Sequence, residues 1–135
     1  MKYLIAVDFD GTLVDHCYPA IGSPVPGAFE WCREFIAAGA GLILWTVRSD
    51  ESPDGKMLME AVLYCLERGL SFVGVNYSPG QRTWSGSAKA YAHIYIDDAA
   101  YGCPLRENPR MGGRPLADWD RIGPAVLAKI KEAGR

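Results

Sequence analysis

Short runs of apolar residues that end at polar residues recur along this chain. The first run, Leu4–Val7, leads directly into Asp8, and three later runs end in a similar way. Apolar runs of this length, bounded by turn-forming residues, are typical of strands buried on both faces of a sheet. The predicted strands are residues 4–7, 41–46, 71–76 and 93–97.

Helical patterns alternate with these strands, with apolar side chains at core-facing spacing and glycines near the helix ends. The predicted helices are residues 28–38, a segment that opens at Ser52–Gly55 and closes at Gly69, and residues 118–133. Gly123-Pro124 indicates a kink or a late start of the last helix, because proline disrupts a helix interior. Residues 88–91 are expected to form at most a short helical turn, and residues 101–115 an irregular excursion or a small hairpin.

Alternating strands and helices predict an α/β fold. We expect a doubly wound, Rossmann-like, mainly parallel sheet in a three-layer α/β/α arrangement, formed by residues 1–135 as a single domain. In such sheets the ligand site lies outside the carboxyl ends of the strands. Polar side chains at or just past the predicted strand ends should converge there, and these are Asp8, Asp10, Thr46, Asn76, Asp97 and Asp98.

Composition narrows the class of protein. The chain has 135 residues, of which 49% are hydrophobic and 22% are charged, as expected for one globular domain. Its net charge of −2 and the lack of a basic run argue against duplex nucleic acid, although not against a short single-stranded or terminal substrate. The apolar runs are too short to span a membrane, so a cytoplasmic location is expected.

Carboxylates that converge in one crevice repel each other unless a cation is bound among them. Oxygen ligands with this much negative charge suit a hard divalent cation, and Mg²⁺ is the predicted cofactor. Asp8 and Asp97 are the expected ligands, together with the backbone carbonyl of Asp10. Asp98 could be either a direct ligand or an outer-shell partner.

Other residues near these strand ends are suited to binding phosphate. Thr46 offers a hydroxyl, Val47 and Arg48 follow it in the same loop, and Lys89 offers an ammonium group. Carboxylates, magnesium, a hydroxyl and a cation together favour phosphoryl transfer. A carboxylate can attack phosphorus itself, and a second carboxylate two residues on can act as general acid and base.

The sequence resembles the haloacid dehalogenase-like (HAD) hydrolases, most of which are magnesium-dependent phosphatases. Four segments carry the resemblance, in the order of the family's motifs: Asp8-Phe-Asp-Gly-Thr-Leu13, Trp45-Thr46, Lys89 and Tyr95-Ile-Asp-Asp98. The resemblance implies a phosphatase that hydrolyses a phosphomonoester through an aspartyl-phosphate. The implied roles are Asp8 as nucleophile, Asp10 as general acid/base, Thr46 and the following N–H groups as phosphoryl ligands, Lys89 as the neutralising cation and Asp97 as a magnesium ligand. Arg48 lies outside the family's core motif.

The resemblance also implies a member without a cap domain. Residues 15–26 are too short for a cap, and the residues between Thr46 and Lys89 are used by one helix, one strand and a loop. A capless site must rely on a large substrate, a neighbouring subunit or an open site, and a homo-oligomer is one of these alternatives. The substrate class is a small-molecule or terminal phosphate ester, and the motifs do not name it.

Several alternatives compete with this interpretation. An EF-hand loop beginning at Asp8 would need Glu where Pro19 stands, and is rejected. A response-regulator receiver has its acidic pair before the threonine and lysine, whereas Asp97-Asp98 come last here. A non-catalytic phosphate- or metal-binding module with a protein partner stays open. Arg82 could replace Lys89 as the phosphate-neutralising cation, and His16 is interpreted as structural or solvated.

Overall fold

The computed structural model describes residues 2–135 of the chain. Its helices are α1 (Ala28–Ala37), α2 (Met57–Glu67) and α3 (Trp119–Ala133), and a single turn of 3-10 helix covers Gln81–Thr83. Its strands are β1 (Leu4–Val7), β2 (Gly41–Leu44), β3 (Gly74–Val75), β4 (Ile94–Ile96), β5 (Leu105–Arg106) and β6 (Leu116–Ala117). None of the helices in this part of the chain is both long and apolar enough to cross a membrane.

Four strands form one parallel sheet, in the order β3-β2-β1-β4. The predicted α/β fold class is therefore confirmed. Val7 at the end of β1 lies opposite Leu44 of β2 and Ile96 of β4. The three strands thus end at one level, and the residues that follow them emerge together at the carboxyl edge of the sheet.

The two faces of the sheet are covered differently. Ile5 and Val7 of β1 belong to the main core, which all three helices complete, and the rings of Phe35 and Trp119 join α1 to α3 with centroids 6.2 Å apart. Leu4 belongs to a smaller core on the other face, which also contains Ala92. The third layer is therefore the segment of residues 76–92, which contains only the 3-10 turn.

Some predicted element ends were wrong. The second helix begins at Met57 and not at Ser52–Gly55, because the Asp50 side chain accepts hydrogen bonds from the backbone N–H groups of Leu58 and Met59 and caps the helix there. The third strand has two paired residues, Gly74–Val75, instead of six. Residues 88–91 form no helical turn, which the prediction allowed, and a 3-10 turn that was not predicted covers Gln81–Thr83.

Residues 101–115 form part of a small antiparallel hairpin, which is one of the two structures predicted for this segment. Strands β5 and β6 pair with Leu105 opposite Ala117. The hairpin loop is fixed to the body by Asp15, which accepts hydrogen bonds of 2.9 Å each from Asn108 Nδ2 and Arg110 Nε. The Arg110 guanidinium lowers the pKa of the Asp15 carboxyl below its ordinary value. The loop is therefore held beside the segment that follows β1.

The closing helix starts at Trp119 and continues through Pro124, so the late start was wrong and the kink, the other predicted alternative, stays a prediction. Gly123 is needed for packing: a Cβ atom added there would overlap the indole ring of Trp31 on α1. The missing side chain at Gly123 allows α3 to lie directly against that ring.

We expect Gly123→Ala to lower the free energy of unfolding by about 1–3 kcal/mol, because the added methyl group overpacks the contact with Trp31. The sign of this change in the free energy of unfolding tests the packing account, since at an unhindered helix position the same substitution stabilises by up to about 1 kcal/mol. Urea unfolding measures the effect. With Trp31→Leu in the background, Gly123→Ala should cost much less, and a stabilising effect in the wild-type chain would contradict this packing account.

Candidate functional site

Three carboxylates meet at the carboxyl edge of the sheet. Asp8 follows β1, Asp97 and Asp98 follow β4, and each offers an oxygen atom within 4.8 Å of the others. The Asp8 backbone N–H donates to Ile96 O at 2.9 Å, which extends the pairing of the two strands up to the cluster. The parallel register thus brings together three of the predicted site residues, which are far apart in sequence.

Thr12 holds this cluster in place. Its hydroxyl oxygen lies 3.3 Å from Asp8 Oδ2 and 3.1 Å from Asp98 Oδ1, and it accepts a hydrogen bond from Asp98 N at 3.0 Å. Thr12 is fully buried, and its carbonyl accepts a 2.7 Å bond from Trp119 Nε1 of α3. A hydroxyl has one proton, so Thr12 donates to one carboxylate at a time. Thr12 was not among the predicted site residues.

The environment of Asp8 penalises its ionised form. Burial, the neighbouring charge of Asp97 and the hydrogen bond with Asp98 raise the pKa of Asp8 from 3.8 to about 8. A bound divalent cation would relieve the same repulsion, and three clustered carboxylates are a donor set that suits Mg²⁺. The side chain of Asp10 does not belong to this cluster, and the predicted contribution of its backbone carbonyl stays a prediction.

Asp10 is instead paired with Arg48. Arg48 Nε donates to Asp10 Oδ2 at 2.9 Å and Nη2 donates to Oδ1 at 2.7 Å, in a two-point ion pair. The guanidinium also donates to the carbonyls of Pro19 and Ala20 at 3.2 and 2.8 Å, and the Arg48 side chain has no exposed surface. The donors of the Arg48 side chain therefore face inward and away from the cleft, and the role of Arg48 in phosphate binding stays a prediction.

Thr46 and Val47 lie on a cleft that they share with the acidic cluster. This cleft, of about 390 Å³, is lined by Asp8, Trp45, Thr46, Val47, Asn76, Ala88 and Asp97. Asn76 has a left-handed backbone with φ of 54°, which is uncommon outside glycine. Its side-chain oxygen accepts a 2.8 Å hydrogen bond from Thr46 N and so orients the loop after β2.

Lys89 is not part of the cleft lining. Its ammonium lies 5.4 Å from the centre of the Tyr95 ring. Within the described part of the chain, Lys89 makes no ion pair with any of the three carboxylates, and its role as the neutralising cation stays a prediction. Arg82 lies along a neighbouring cavity.

The His16 side chain is largely buried beside the acidic cluster, so its interpretation as solvated was wrong and its interpretation as structural stays a prediction. Its Nε2 atom lies 3.2 Å from Asp98 Oδ2, without the alignment of a hydrogen bond. Gly11 makes room for this contact, since a Cβ atom there would overlap both side chains. The sequence did offer one signal for this contact, because His16 belongs to the loop that follows Asp8.

We expect Arg48→Met to lower the free energy of unfolding by about 3–5 kcal/mol, because Asp10 would keep its charge without its buried partner. Combining it with Asp10→Asn should recover part of this loss. Arg82→Met, at an exposed position, is the control and should cost far less. Urea unfolding with a chelator present measures all three, and an equally small cost for Arg48→Met and Arg82→Met would contradict the pairing.

The raised pKa of Asp8 predicts how stability depends on pH when no divalent cation is present. Between about 4 and about 8 the folded protein binds a proton at Asp8 that the unfolded chain has released, so the free energy of unfolding should fall as pH rises. Asp8→Asn should flatten this slope, and Asp54→Asn, at an exposed carboxylate, should leave it intact. Unfolding curves at stepped pH in chelator test it, and an unchanged slope in Asp8→Asn would refute it.

Comparison with known proteins adds one relative. No protein-family model and no curated protein matches the sequence. The solved structure of a conserved protein from Bacteroides thetaiotaomicron is 36% identical, with a TM-score of 0.73 over 96% of this chain and 93% of that chain. The two chains are thus similar in sequence as well as in fold, across almost their whole length. The chain therefore belongs to the same protein family as this conserved Bacteroides thetaiotaomicron protein.

Proposed function

We propose that this protein is a magnesium-dependent phosphatase that hydrolyses a phosphomonoester through an aspartyl-phosphate on Asp8. One observation carries the proposal: Asp8, Asp97 and Thr46, which follow three different strands, line one open cleft. A carboxylate nucleophile, a second carboxylate for a cation and a hydroxyl for a phosphoryl oxygen are the groups that this chemistry needs.

The same arrangement supports the proposal that the chain is a capless HAD-like hydrolase, formed by residues 1–135 as one domain. Asp8 and Asp97 stand directly after β1 and β4, and Thr46 stands two residues past the end of β2. A coincidental match of short motifs would not be expected to place all three at neighbouring strand ends.

Magnesium would be held by the carboxylates of Asp8, Asp97 and Asp98, whose oxygens cluster within 4.8 Å. When bound, it supplies Lewis-acid polarisation of a phosphoryl oxygen and neutralises negative charge. The chain itself contributes the spacing of these carboxylates, which Thr12 fixes through its hydroxyl.

In the proposed reaction an Asp8 oxygen attacks phosphorus, and the bond from phosphorus to the ester oxygen breaks. The leaving oxygen takes a proton from Asp10, and Asp10 later removes a proton from the water that releases phosphate from Asp8. Asp10 accepts two hydrogen bonds from Arg48 and keeps partial exposure, with 18% of its side chain accessible. Because each carboxylate oxygen has two lone pairs, Asp10 can bind a proton while Arg48 still orients it.

The cleft is open, so water must be excluded by the substrate or by another protein chain. We therefore include a small-molecule or terminal phosphate ester as substrate and a homo-oligomer as the working assembly. A cytoplasmic location and no use of duplex nucleic acid complete the proposal.

A second function has its own support. The inward-facing Arg48 and the distance of Lys89 from the cleft leave the site short of cations for a phosphoryl group. This favours a metal- or phosphate-binding module that regulates a protein partner. Such a module predicts no turnover and a partner captured from the native source.

Asp8→Asn should reduce hydrolysis of generic phosphate esters by more than about a thousandfold, because it removes the nucleophile. Magnesium-induced thermal stabilisation should largely persist, since Asp97 and Asp98 remain. Asp54→Asn serves as the control at an exposed carboxylate. Acid-quenched wild-type protein should contain a phosphorylated Asp8 peptide by mass spectrometry. Normal turnover in Asp8→Asn, or turnover that survives chelation, would refute the proposal.

A further inference from the structure

A second cavity adjoins the catalytic cleft. It has a volume of about 530 Å³, and Asn76 and Ala88 line both it and the cleft of Asp8 and Thr46. A molecule with its phosphoryl group at Asp8 and a leaving group long enough to pass these two residues would reach the second cavity. The rest of that cavity belongs to the third layer of the fold, residues 77–90.

The wall of this cavity has a chemistry opposite to that of the cleft. Ser78, Ser85 and Ser87 supply hydroxyls to this wall, and Arg82 supplies a guanidinium. The sequence from residue 68 to residue 96 contains no Asp or Glu. Within the described residues 2–135, Arg82 makes no ion pair. The wall is thus positively charged and rich in hydrogen-bond donors.

The wall is held in a defined shape by Gln81, which is buried. Gln81 Nε2 donates to Lys89 O at 2.9 Å, and Gln81 Oε1 accepts from Tyr91 N at 2.9 Å. The backbone carbonyl of Gln81 accepts from Ser85 N at 2.9 Å. These bonds fix both ends of the segment that carries Arg82, so its position on the cavity is set by the fold.

We propose that this cavity binds the leaving group of the substrate and that Arg82 pairs with a second anionic group on it, a carboxylate or a second phosphate. The inference rests on the proposed function and narrows it to esters with two anionic groups. A guanidinium suits this role because it donates two parallel hydrogen bonds to either group. Arg82 is then a specificity residue, separate from the groups that act on phosphorus.

Binding of uncleavable probes tests the cavity without relying on turnover. The probes are benzylphosphonates that bear a carboxylate, a second phosphonate or a neutral carbamoyl group at the meta position. Calorimetric titration with excess magnesium compares wild type, Arg82→Gln, Arg82→Lys and the control Lys129→Gln, which removes an exposed charge on α3.

Wild type should bind the anionic probes about tenfold more tightly than the carbamoyl probe. Arg82→Gln should abolish this preference without weakening the carbamoyl probe, Arg82→Lys should keep part of it, and Lys129→Gln all of it. The anionic probe that loses more affinity in Arg82→Gln identifies the preferred group. Equal weakening of all three probes by Arg82→Gln, or no preference in wild type, would overturn the inference.

A parallel turnover assay on phenyl phosphates with the same substituents separates the two proposals. If no ester is hydrolysed but the Arg82-dependent preference exists, the proposed function fails and the subsite stands. If esters are hydrolysed and the preference is absent, the subsite alone fails.

Discussion

Electrostatic repulsion between Asp8, Asp97 and Asp98 is the constraint around which the rest of this structure is arranged. The pairing of β1 with β4 forces these carboxylates together, and the core cannot relax without losing that pairing. Thr12 ties two of them through one hydroxyl, and Trp119 anchors Thr12 from α3. The fold therefore maintains a locally unfavourable charge arrangement, which is common where a site is built to bind a cation or to react.

Arg48 extends this organisation away from the cluster. It is buried against Phe9, with its guanidinium carbon 4.9 Å from the ring centre, and it joins Asp10 to the loop at Pro19 and Ala20. One side chain after β2 therefore fixes the segment after β1. The two segments that carry Asp8 and Thr46 are thus coupled, so that neither can shift without disturbing a buried ion pair.

The fold and the convergence of Asp8, Thr46 and Asp97 could be predicted because they depend on strand order and on where apolar runs end, and both leave local signals in the sequence. Arg48 and Lys89 could not be placed, since a long side chain reaches several ångströms in any direction and its target is set by tertiary packing. Thr12 was missed, and the contact of His16 was not predicted, because both depend on Asp98, which is far away in sequence. The start of α2 was misplaced because Asp50, and not Ser52, caps the helix.

The irregular third layer brings a physical consequence for binding. A regular helix packed on Leu4 and Ala6 would only cover this face of the sheet. Residues 76–92 cover the face and in addition leave two adjoining cavities at its carboxyl edge. One cavity is acidic and the other carries Arg82, so an anionic ester meets repulsion at one end and attraction at the other. Under the proposed function, cation and ester must then bind cooperatively, because each neutralises charge that opposes the other, and linkage makes the effect reciprocal. Free phosphate lacks the second anionic group that Arg82 would pair with, so the same asymmetry favours release of phosphate over release of intact substrate.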